Sequence, residues 1–191
     1  MQIIAPLRRH PGRTALVAVV VLGFAAFALW WFAPWNLFVD KRVDEALPGV
    51  VAPAAEGATA QEGGTPAETG VGPEAGPLTL AEGAFASLEH ATTGTVLVVE
   101  LEDGTRFLRL EDLETSNGPD LRVILSDQPP SDDWHVWDDG RYVDLGGLKG
   151  NLGSSNYEIP STVDLDDFET AVIWCRRFSV GFGVAPLEPA A

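Results

Sequence analysis

Three patterns of apolar and polar positions follow one another along the chain. From Thr14 to Ala33 it reads TALVAVVVLGFAAFALWWFA, 20 residues with no charge and no polar face. At 1.5 Å per residue a helix of that length covers about 30 Å, the hydrocarbon thickness of a bilayer. Apolarity on every face disfavours a soluble core helix and predicts a transmembrane segment. From Val43 to Pro77 the periodicity disappears, and Ala, Gly, Pro, Glu and Thr dominate without one aromatic residue. Such a stretch buries too little apolar surface to offset its ordering entropy, and it is expected to be disordered. From Leu78 onward, short alternating or β-branched runs are separated by turn signals, the pattern of strands.

Within that last region TVLVVEL (95–101) and TRFLRL (105–110) flank EDG, an acidic turn in which Gly104 supplies a positive φ. This is a hairpin signal. LRVILS (121–126), RYVDL (141–145), NYEIP (156–160), AVIWC (171–175) and FSVGFGV (178–184) continue the series, and none has a helical period. About seven short strands in roughly 110 residues predict an all-β fold, an antiparallel β-sandwich or a barrel. The chain then divides into a cytoplasmic tip and transmembrane anchor at 1–35, an acidic linker at 36–77 and a β domain at 78–191. A flexible linker of that length reaches roughly 30–35 Å and reads as a tether. In the last run Phe178, Val180, Phe182 and Val184 form an apolar stripe, and Ser179, Gly181, Gly183 and Ala185 a small-residue face open to close approach. In the preceding run Ile173 and Cys175 share one face, Val172 and Trp174 the other. Both faces are apolar, so the pattern leaves open which is core.

Charge adds direction. Up to Arg42 there are five basic residues and one acid; from Asp44 to Pro77 six acids and no base; from Leu78 seven bases and 21 acids. Arg8, Arg9 and Arg13 precede the apolar segment, and Trp30, Trp31 and Trp35 close it as an interfacial belt. By the positive-inside rule the amino terminus is cytoplasmic and the β domain extracytoplasmic, on a single-pass protein of the cell membrane. A cleaved signal peptide with an Ala26-x-Ala28 site is the competing reading, and it exports the domain equally. A net charge of −16 makes nucleic acid an unsuitable partner, because a basic face is needed to displace its counterions.

The candidate chemistry centres on Cys175, the only cysteine, beside Trp174, Arg176 and Arg177. A single cysteine forms no intrachain disulfide. Nearby guanidinium groups lower a thiol's pKa and apolar burial raises it, so the thiol is either a candidate redox residue or a buried structural side chain. His90 or His135 with Cys175 would supply mixed ligands to copper or iron. The loop SDQPPSDDWHVWDDG (126–140) carries Asp127, Asp132, Asp133, Asp138 and Asp139 as weak candidates for calcium, with His135 among them and Trp134 and Trp137 as an aromatic platform. Its spacing is not that of an EF-hand. NGPDL (117–121) reads as a turn, with Pro119 fixing φ and Asn117 bonding its own backbone. No Ser-His-Asp order, phosphate loop, C-x-x-C pair, haem attachment or H-E-x-x-H motif is present, so a conventional enzyme is not expected.

Several ordered segments carry a family resemblance. HATTGTVLVVELEDGTRFLRLEDLETSNGPDLRVIL, LGGLKGNLGSSNYEIP and VIWCRRFSVGFGVAPL resemble the DM-thirteen domain, the electron-transfer DM domain, over about Gly83 to Leu187. The matching positions include Gly83, Phe85, His90, Gly94, Asn117 to Leu121, Leu145 to Gly150, Tyr157, Pro160, Cys175, Phe178, Phe182, Gly183, Ala185 and Leu187. Leu113 replaces a usual aromatic, and Asn156 a common glutamine. The resemblance implies an all-β extracytoplasmic domain with an electron-transfer role, and Cys175 as its candidate redox residue. Residues near it that are candidates to hold a cofactor of unknown identity are His90, Trp174, Arg176 and Arg177. Three function classes stay open: a redox module with a redox or cell-envelope protein partner, a non-catalytic binding or adhesion module using the acidic Trp loop, and a structural envelope protein.

Overall fold

The structure, a computed structural model, describes residues 11–32, 34–35, 39–49 and 76–190. The apolar run is one helix, α1 (Pro11–Phe32), exposed along its length and long and apolar enough to cross a membrane. Beyond it the described residues form eleven strands: β1 (Arg42–Asp44), β2 (Leu78–Ala84), β3 (Ala86–Ser87), β4 (Thr93–Glu100), β5 (Arg106–Glu114), β6 (Leu121–Ser126), β7 (Tyr142–Gly147), β8 (Leu152–Ile159), β9 (Thr170–Cys175), β10 (Val180–Pro186) and β11 (Glu188–Pro189). They make a six-stranded sheet, β1-β8-β5-β4-β2-β11, and a five-stranded sheet, β3-β10-β9-β6-β7. The pairings are antiparallel except β1 with β8. The predicted β-sandwich is therefore the fold.

The β4–β5 hairpin turns where the sequence places it. Leu101 and Thr105 close the turn, Asp103 accepts from the Thr105 N–H, and Gly104 takes φ +81°. The core lies between the sheets, where Val96, Val98, Leu108, Leu110, Tyr157 and Ile159 of one meet Val123, Leu125, Ala171, Ile173, Cys175 and Phe182 of the other. This settles the ambiguous β9. Its 171/173/175 face is the inter-sheet core, while Val172 and Trp174 point to a second apolar layer with Ile124, Val184 and Trp137.

Strict alternation fails in β10. A register shift between Gly181 and Gly183 breaks the 178/180/182/184 stripe. Phe182 joins the inter-sheet core with Ala185, Val184 joins the outer layer, and Phe178 lies outside the strand, 45% exposed. A bulge inserts one residue and reverses the facing of the residues beyond it.

The expected linker also needs redrawing at its start. Residues 39–46 are not a free tether. β1 pairs in parallel with β8, Arg42 to Leu152 and Asp44 to Ser154. The buried Asn151 amide accepts from the Lys41 N–H (2.7 Å) and donates to Asp40 Oδ1 and the Thr115 carbonyl (2.9 Å each). Gly153, at φ +94°, passes directly under the Val43 carbonyl, where a Cβ has no room. Lys149 pairs with Glu45 at 2.9 Å, and Glu45 accepts from the Asn156 N–H. Residues 36–38 and 50–75 of the expected linker lie outside the described residues.

Candidate functional site

Cys175 ends β9, paired with Leu121 of β6 and Val180 of β10. Its side chain is 0% exposed. Burial pushes the thiol above its ordinary value of 9.0, and the Asp120 charge adds to this; backbone hydrogen bonds at Phe178, Asp120 and Arg177 oppose it without prevailing. The two arginines that would favour a thiolate are engaged elsewhere. Arg176 donates to the Asp120 carboxylate at 3.0 Å. Arg177 donates to the Trp31 carbonyl at the end of α1 and lies 5.0 Å from the Trp31 ring centre. In the folded chain the thiol is thus protonated at neutral pH and shielded from solvent.

Around it the sheet end is organised by the β9–β10 turn, where Ser179 takes φ +49° and the Phe178 N–H donates to the Cys175 carbonyl at 3.2 Å. Beside this turn lies a cleft of about 300 Å³, lined by Phe32, Pro34, Glu89, His90, Asn117, Gly118, Pro119, Phe178, Val180 and Phe182. Cys175 is not in its wall, but its strand partner Val180 and its turn partner Phe178 are. The His90 ring packs on Phe182 at 3.9 Å, and its Nε2 lies 2.7 Å from the Glu89 carboxylate. His90 therefore reaches the Cys175 end of the sandwich.

The other candidates go to different places. Trp174 is buried in the outer layer, 5.6 Å from the Tyr142 ring. Trp137 does not form a platform. Its 126–140 loop folds back so that the indole, 0% exposed, covers Gly181, and this is the close approach that the small-residue face permits. Trp134 stays 44% exposed. The acidic side chains of the loop are dispersed into local bonds. Asp127 pairs with Arg141 and Gln128, Asp133 accepts from the His135 N–H, and Asp138 accepts from Ser179. His135 Nδ1 sits 2.8 Å from the Ser179 carbonyl, and Asp132 and Asp139 join no cluster. Among the described residues, no three His, Cys, Asp or Glu side chains converge as metal ligands, the Cys175–His90–His135 combination included.

Sequence reasoning missed Phe178 as a surface ring and Asn117 as a clasp. Asn117 accepts from the Gly118 N–H as a turn residue would, but it also donates to the Val39 carbonyl at 3.1 Å. Nothing local signals a partner 78 residues away.

The described residues thus form a two-sheet β domain that follows an apolar helix long enough to cross a membrane, with the lone thiol sealed at a strand end. The family model described as Electron transfer DM13 matches residues 84–187, more than half of the chain. The chain belongs to that family, over almost the span that the sequence motifs indicate, and the family's description suggests a redox-related role. No curated protein matches the chain, and no solved structure does.

Proposed function

We propose that the chain is a single-pass membrane protein whose extracytoplasmic DM13 sandwich serves electron transfer, with Cys175 as its redox residue. Family membership carries the redox role. The geometry supports its location, because Val180 and Phe178, the strand and turn partners of Cys175, line one cleft with His90 and with Phe32, the last residue of the apolar helix. The extracytoplasmic side is supported by Arg8, Arg9 and Arg13 ahead of the helix. A thiol that is protonated and buried reacts only when the 176–179 turn opens, so the redox step is gated by local unfolding.

The test is voltammetry and thiol mass spectrometry on the full chain in membranes, beside Cys175→Ser. The expected result is a reversible oxidation confined to Cys175 and lost in the serine variant. An electrochemical signal that survives Cys175→Ser rejects the thiol as the redox group. Protease added to intact cells should cut within 50–75, and protection until lysis would reject the orientation.

The dispersal of the acidic loop's carboxylates leaves the calcium-dependent adhesion reading without a specific supporting observation.

A further inference from the structure

The cleft beside the β9–β10 turn has a composition and a position that together point to a ligand. Its walls carry four rings, those of Phe32, His90, Phe178 and Phe182, and few polar groups. Two independent features tie it to the point where the chain leaves the apolar helix. Phe32, the last residue of α1, stacks on Phe178 with ring centres 6.1 Å apart and planes 16° from parallel. Asn117, which also lines the cleft, donates to the Val39 carbonyl at 3.1 Å. Val39 comes seven residues after Phe32, a span of at most about 25 Å of extended chain. A helix crossing a bilayer therefore brings the cleft to the membrane surface, within reach of molecules dissolved in the lipid.

The volume is at the small end of the range of about 300–1,000 Å³ seen for ligand pockets, enough for one substituted ring and too small for the paired acyl chains of a lipid. Ring walls favour a flat π-system in stacked or edge-on contact. One polar group is placed to orient it. Glu89 holds His90 Nε2, which leaves Nδ1 for a ligand: it accepts from a hydroxyl when bare and donates to a carbonyl when protonated.

We propose that this cleft binds the ring of a lipid-soluble quinone, with His90 as the polar contact and Phe178 and Phe182 as stacking surfaces. The choice of a redox-active ring rests on the proposed electron-transfer role, whereas the apolar, ring-binding character of the cleft does not. Binding alone is proposed, and Cys175 has no part in it.

The probes are tetramethyl-1,4-benzoquinone, which has no open ring position for a thiol to attack and whose carbonyls accept from a protonated Nδ1, and its quinol, whose hydroxyls donate to a bare Nδ1, each titrated into the detergent-solubilised full chain and followed by saturation-transfer NMR. Saturable binding is expected, weakened by about tenfold in His90→Ala, the loss of one good polar contact. A similar weakening is expected in Phe178→Ala, whose exposed ring is removable without cost to the core. Circular dichroism of both variants should match the parent. Absence of saturable binding, unchanged affinity in both variants, or displacement by 1-octanol as effective as by a second quinone would each overturn the proposal, the last by making the cleft an acyl-chain site. The readout involves no electron transfer. Quinone binding beside a redox-silent Cys175 would reject the thiol's assignment alone, and a redox-active Cys175 without binding would reject the quinone alone.

Discussion

Cys175 shows how a residue's neighbours in sequence can mislead about its neighbours in space. Arg176 and Arg177 adjoin it in the chain, yet their guanidinium groups engage Asp120 and Trp31, and burial dominates the thiol. Because its folded pKa is raised, the thiol contributes stability that is whole below 9.0 and is lost as pH rises toward the folded value. Maleimide labelling of native protein should therefore be slow and should accelerate above that pH as the fold loosens. Cys175→Ser should lower stability by about 1–3 kcal/mol, the cost of a buried, poorly paired hydroxyl, read by denaturant melts; an unchanged midpoint would mean that the site is open. Glu45 behaves in the opposite sense. Burial raises its pKa, but hydrogen bonds from Lys149 and Asn156, with the Lys149 and Arg109 charges, bring it below the ordinary 4.5. Its contribution is present above that value and lost as pH falls through the folded pKa. The difference in stability between wild type and Glu45→Gln, about 1 kcal/mol or less after solvent screening, should vanish on acidification. A difference that grows at low pH would contradict the pairing.

At the scale of elements, β1 changes the meaning of the segment after it. A tether would make the distance between helix and sandwich a matter of linker length. A strand seated on β8 makes 50–75 a connection between two strands of one sheet, leaving only 33–41 between Phe32 and Arg42. Cleavage within 50–75 should therefore leave both fragments together at the membrane, separable only by denaturation. Asn151→Ala, which removes the buried amide from Lys41, Asp40 and Thr115, should cost about 2 kcal/mol and release the larger fragment after cleavage. Gly153→Val should act likewise by blocking the Val43 carbonyl. Immediate release of the wild-type domain, followed by sedimentation of membranes, would show that β1 does not hold. The short apolar runs were legible as strands because each is alternating or densely β-branched and is bounded by turn signals. β1 was not, since three residues, Arg-Val-Asp, carry no period at all and gain their place from glycines and amides on β8 and the loop before it.

For the whole molecule, the sequence by itself determined one long apolar helix, an all-β domain, the β4–β5 hairpin and the family. Each of these depends on local pattern: unbroken apolarity over a bilayer's thickness, alternation along strands, a glycine at a turn, or ordered motifs within one stretch. His90 and Cys175 were both singled out in the sequence, and the structure puts His90 in a cleft whose wall includes Val180 and Phe178, the strand and turn partners of Cys175. Only the tertiary structure decided which face of β9 is core, where the Trp137 ring goes, and that the Asp side chains of its loop bond locally. The same holds for the start of the expected linker, which adds a strand to a sheet, and for the turn asparagine, which holds the Val39 carbonyl beyond the apolar helix. The physical reason is common to all of these. Burial, close backbone approach and hydrogen-bond satisfaction are set by groups tens of residues apart, as when a bulge at Gly181–Gly183 sends Phe182 and Val184 to opposite layers, and a pattern read residue by residue contains no record of them.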